Sequence, residues 1–314
     1  MAERRRRAVI PHIERILTVV PPAEHDRPNL EELFTLLDLA ELGTSPLELV
    51  QLSWRTVRPQ VMGMIAEAFI WHEVYLEAEI VYDQRPFRLG LDDRRVRLVL
   101  ERWTRFVAPG DTIISFNWDL LHETALYRVN KWHYADGYGF VSADAPTGVQ
   151  SPIKILKLHG SVNWAQQNEQ DREPAIEQKG YFFPGAIDGP GIYQKAAGQW
   201  NEGRFLIIPT YLKDMASNTL LLSLWNQAAD ALIDATDWIV IGFQLHPADA
   251  LARHLFGSAL LRRMTTPRVT LVAPSGGGSN WQSFCANLSV TPARVRSSFE
   301  DWITAPRSGE AESS

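Results

Sequence analysis

From residue 111 onward the chain alternates short apolar runs with longer amphipathic ones, and this alternation limits what it can fold into. "DTIISF" (111–116), "IKILKL" (153–158), "RFLIIP" (204–209), "DWIVIG" (237–242) and "RVTLVAP" (268–274) are runs of strand length. Between them, "LLHETALYRV" (120–129), "NTLLLSLWNQAADALIDA" (218–235) and "PADALARHLFGSALLRR" (247–263) carry apolar residues at helical spacing, the last with Pro247 near its first turn. Strands that are apolar on both faces and separated by helices predict a parallel sheet covered on both sides. The predicted fold class is therefore α/β, a Rossmann-like parallel sheet with helices on both faces.

In such sheets ligands sit beyond the carboxyl ends of the strands. That rule directs attention to Ser115 to Asp119, to His159-Gly160-Ser161, to Pro209, and to Gly242 through Asp249. "SPIKILKLHGSVNW" is the sharpest of these: an apolar strand that stops at a histidine, with Asn163 and Trp164 just behind. Taken singly, each signal has an ordinary structural explanation. A strand-end histidine is commonly a satisfied packing residue, and Asn-x-Asp after a strand is commonly an Asx turn leading into a helix.

The remainder of the chain divides by composition. Residues 1–28 form a basic N-terminal segment with Arg4 to Arg7 in a row. Residues 29–107 read as helical: "NLEELFTLLDLAELG" has Asn29 as N-cap, Glu32 in capping-box position and Gly43 as the stop, and helices follow at about 54–81 and 91–106. The α/β domain spans 29–305. Within it lies a Gly/Pro-rich excursion, 166–203, with Tyr181, Phe182 and Phe183 as one apolar knot. Residues 306–314 are a polar tail with nothing to bury.

With 314 residues, 45% of them hydrophobic, the chain can bury a large core. A net charge of −6 argues against a general polyanion binder and leaves Arg4–Arg7 as the one candidate contact to nucleic acid. A single cysteine, Cys285, excludes a disulfide framework and a four-cysteine zinc site, and fits a reducing cytoplasm. No run of 18 apolar residues suggests a membrane span. "HETAL" and "HEVYL" begin like a zinc-protease helix but lack the second histidine, so no metal is expected.

Order and separation join the strand-end signals. "SFNWDLLHETAL", "KLHGSVNW", "IIPTYLKD" with Lys213, "LWNQA" with Trp225, and "IGFQLHPAD" follow one another over about 112–273. This series resembles the sirtuin-like family of NAD-consuming proteins, and its prokaryotic branch in particular. The resemblance implies that NAD crosses the sheet edge as substrate, that His159 is the catalytic base, that Asn117 positions the ribose or attacking water, and that Asp119 reads the nicotinamide amide. It implies cofactor contacts from Ser115, Phe116, Gly160, Ser161, Gly242, Phe243, Gln244 and Asp249. For the branch as a whole it implies hydrolysis of NAD to nicotinamide and ADP-ribose in antiphage defence, carried out by a homo-oligomer or with a partner defence protein.

Two departures from the family pattern stand out. Gln244 replaces the usual serine. The family's opening strand and G-A-G-x-S phosphate loop have no counterpart, since the first glycine of the chain is Gly43. This predicts either a truncated reading of a longer product or a fold that closes over the gap, and for this chain alone little or no NAD affinity in the micromolar range. Two alternatives stay open: a catalytically impaired sirtuin-like binding or scaffold module, and an NAD-dependent protein deacylase.

Overall fold

The computed structural model describes residues 93–141, 148, 150–166, 176–178, 204–206, 219–246, 249–274 and 278–305. The helices read at 29–42 and 54–81, Arg4–Arg7, the Tyr181–Phe183 knot, Pro209, Lys213 and the C-terminal tail lie outside the described residues. The first element is helix α1 (Asp93–Phe106), followed by β1 (Thr112–Ser115), α2 (Leu121–Arg128), β2 (Lys154–Lys157), β3 (Gly160–Gln166), β4 (Ile176–Gln178) and β5 (Arg204–Leu206). Then come α3 (Thr219–Asp234), β6 (Asp237–Ile241), α4 (Ala250–Arg262), β7 (Arg268–Ala273), α5 (Ser279–Asn287), β8 (Ala293–Arg296) and α6 (Phe299–Thr304).

The chain is a mixed α/β protein with two parallel sheets flanked by helices, a Rossmann-like arrangement. β1 and β2 pair in parallel with Thr112 opposite Lys154 and Ser115 opposite Lys157. β6, β7 and β8 form a second parallel sheet in sequence order. Among the described residues no ladder joins β1 to β6. Their carboxyl ends meet instead through Phe116 and Phe243, whose rings stack face to face at 4.2 Å with an interplanar angle of 3°.

The helices form because their apolar residues recur on one side. In α3 the buried residues Leu221, Leu224, Trp225, Ala228 and Leu232 follow steps of three and four, and in α4 Ala252, Leu255, Phe256 and Ala259 do the same. These stripes pack α3 and α4 together within one continuous core that also takes in Trp238, Val269, Leu271 and Trp281. α1 packs on α6 through edge-on aromatic pairs, Trp103 with Phe299 and Phe106 with Trp302. Its last carbonyls are capped by Lys131, whose Nζ donates to Thr104 O at 2.6 Å and Val107 O at 2.8 Å.

One strand assignment needs correction. "RFLIIP" belongs by pattern to the parallel sheet, yet β5 pairs antiparallel with β3, and β4 pairs antiparallel with β3 on its other side. Apolar runs of this length carry no label for direction; the partner decides it. The reversal at His159-Gly160 creates β3, because Gly160 adopts φ +77°, a left-handed conformation that a glycine takes without strain. "PADALARHLF" also starts later than its proline suggests: the helix begins at Ala250 with Asp249 as N-cap.

Candidate functional site

Parallel pairing of β1 and β2 brings the segments after them to one edge. Ser115 anchors both: its carbonyl accepts from Leu158 N at 3.0 Å, and its buried Oγ accepts from Asn117 N at 3.2 Å. Trp118 then reaches across, its Nε1 donating to His159 O at 2.9 Å. The His159 side chain is buried, and its ring meets the Phe116 ring edge-on at 5.2 Å. Trp225 of α3 closes this side by donating to Leu158 O at 3.1 Å. Phe116 and Trp118 thus both contact His159 beyond one sheet edge, and Asn117 between them is exposed to solvent.

Asp119 is partly occupied by local structure. Its Oδ1 accepts from Leu121 N at 3.2 Å, the Asx-type start of α2. Ser161 is fully buried, and its Oγ has no hydrogen-bond partner among the described residues. A buried hydroxyl of this kind beside His159 retains capacity for one more polar contact.

The second half of the edge comes from the loop after β6. Gly242 has φ +66° and donates its N–H to Val272 O at 3.1 Å, continuing the ladder past the end of β6. Phe243 is half-buried, and its carbonyl accepts from Trp281 Nε1 at 2.7 Å. Gln244 is exposed, and Leu245 turns inward to full burial with φ +49°. Asp249 caps α4, its Oδ1 accepting from Ala252 N at 3.3 Å. Two residues of the loop, Gly242 and Leu245, are left-handed, and one indole, that of Trp281, pins it. The Phe243–Phe116 stack is its bridge to the His159 half.

Beneath the edge lies a charged cluster that the sequence reading did not single out. Lys157, the last residue of β2, and Glu123, in the first turn of α2, have fully buried side chains, with Lys157 Nζ 3.1 Å from Glu123 Oε1. The same ammonium donates to the Asp119 carbonyl. Neither oxygen of Glu123 has a well-aligned hydrogen-bond partner among the described residues, so the contact with Lys157 is an ion pair more than a directed bond. Burial pushes the Glu123 carboxyl up, Lys157 pulls it back, and Asp119 adds to the rise. His122 keeps some accessible surface but is crowded enough that desolvation lowers its pKa to about 4, against the pull of Asp119 and with help from Lys157. Its ring lies 5.2 Å from that of Trp103. The available signal for the cluster was a lysine closing an apolar strand and a glutamate on the inner side of the next helix.

Among the described residues no group of three His, Cys, Asp or Glu side chains could hold a metal ion. Among the same residues no helix is long and apolar enough to cross a membrane. No protein-family model matches the chain, and no curated protein matches its sequence.

Proposed function

We propose that this protein cleaves the nicotinamide–ribose bond of NAD, releasing nicotinamide and ADP-ribose. The observation that carries the proposal is the β1–β2 register. With Ser115 opposite Lys157, the segments that carry Asn117 and His159 both leave the carboxyl ends of paired parallel strands, the edge where ligands of open α/β sheets bind. Breaking this bond builds cationic character on the ribose, and water completes the reaction. An imidazole that takes a proton from that water or from a ribose hydroxyl, next to an amide that orients it, suits the chemistry. In this reading Asp119 and the Ser161 hydroxyl are available to the nicotinamide amide, while Gly242 to Gln244 and Asp249 border the adenosine half. Assembly as a homo-oligomer or with a partner protein, a cytoplasmic location and an antiphage role belong to the same proposal through the resemblance to the prokaryotic sirtuin-like branch.

A second reading, a sirtuin-like binding module without turnover, rests on one departure from the family pattern: the sequence contains no G-A-G-x-S phosphate loop. The experiment that separates them is incubation of the purified chain with NAD while nicotinamide release is followed. Cleavage that falls about 10²-fold or more in His159→Ala supports the enzyme. NAD binding without nicotinamide release supports the module, and wild-type turnover in His159→Ala removes the histidine from the mechanism.

A further inference from the structure

We infer that Lys157 is a positioning residue for the His159 site, holding the segment that carries Asn117 and Asp119 in register with the histidine. The inference deepens the NAD-cleavage reading and rests on it.

Two cross-links run between the segment after β1 and the end of β2, and they run in opposite directions. Trp118 of the segment donates its indole N–H to the carbonyl of His159. Lys157 of the strand donates its ammonium to the carbonyl of Asp119. Residues 118 and 119 are therefore tied to residues 159 and 157, and Asn117 sits between these ties and the Ser115 hydroxyl that accepts from its N–H. Glu123, at 3.1 Å, anchors the same ammonium from α2, so a single cation couples strand, segment and helix.

Core packing does not call for a cation here. Both side chains of the pair are fully buried, and taking an ammonium and a carboxylate out of water offsets most of their attraction. An apolar pair of similar volume is commonly as stable or more so. What an apolar pair lacks is a directed donor to the Asp119 carbonyl. Without it the segment can settle at more than one height above the strand end, and displacement of a reacting group by about 1 Å can lower turnover by about 10²-fold.

The test uses the full chain carrying Lys157→Met together with Glu123→Met, so that no lone buried charge remains. The urea midpoint, kcat and KM for NAD cleavage, and the histidine ring resonances by proton–carbon NMR are compared with wild type. The expected result is a midpoint close to wild type, kcat lower by about 10²-fold with a much smaller change in KM, and a His159 signal that loses the ring-current shift from Phe116 or splits into several. A double variant with wild-type kcat and an unchanged His159 signal overturns the inference. So does a double variant that does not fold, since Lys157 would then be structural. If the wild-type chain releases no nicotinamide, the proposed reaction fails by itself, and the His159 signal still decides whether Lys157 holds the segment.

Discussion

Protonation of His122 should destabilise the fold in a defined window of pH. The ring is desolvated between α1 and the Lys157–Glu123 cluster, and its pKa falls from the usual 6.5 to about 4. In the unfolded chain it returns to about 6.5. The unfolded state therefore binds the proton first as pH falls, so the contribution is present above about pH 6.5 and is lost as pH falls through about 4. At about 1.4 kcal/mol per pH unit, and with a discount for the surface that the ring still exposes, the loss between about pH 7 and about pH 4 is about 2–3 kcal/mol. Glu123 acts with the opposite sign. Burial raises its pKa, so its contribution is present below its ordinary value of 4.5 and is lost as pH rises. The clean quantity is accordingly the difference between wild type and His122→Gln, which keeps Glu123 in both chains. Urea unfolding followed by tryptophan fluorescence at several pH values between about 4 and 7 measures it. His122→Gln should be the less acid-sensitive chain by about 2–3 kcal/mol over that range, whatever its absolute stability. Parallel pH profiles would mean that His122 is not held neutral, and the desolvated picture of the cluster would be wrong.

Two further perturbations probe the edge. Phe116→Leu and Phe243→Leu, singly and together, should give a double-mutant coupling of about 0.5–1.5 kcal/mol in unfolding free energy, the worth of a close ring pair, and a coupling near zero would remove the bridge between the two halves. Asp249→Ala should lower stability by about 0.5–2 kcal/mol through loss of the α4 cap, with Asp249→Asn or Asp249→Ser nearly neutral, as read from urea midpoints.

Most helices and strands from 93 onward were legible because their signals are local. Residues at steps of three and four in α3 and α4, and short, mostly apolar runs bounded by turn residues in β1, β2, β6 and β7, mark these elements whatever they pack against. β3, β4, α5, β8 and α6 escaped the reading. Ala293–Arg296 alternates charged and small residues as an edge strand does, and Phe299–Thr304 is too short to show a period. Candidate residues at strand ends were legible for a related reason: the rule that ligands meet a parallel sheet at its carboxyl edge needs only the strands.

The sequence by itself determined the longer helices and the core strands, that β1 and β2 are strands apolar enough to be covered, and that Asn117 and His159 stand directly behind them. Only the tertiary structure decided which strands pair and in which direction. It turned β5 against β3, because an extended run offers the same donors and acceptors to a parallel or an antiparallel neighbour. Tertiary packing also decided the cluster under the site. Lys157 finds the Asp119 carbonyl 38 residues back along the chain, and Trp225 finds Leu158 across 67. No local pattern encodes such meetings, since the desolvation that makes a buried lysine seek an acceptor exists only once the strands and α2 have closed over it.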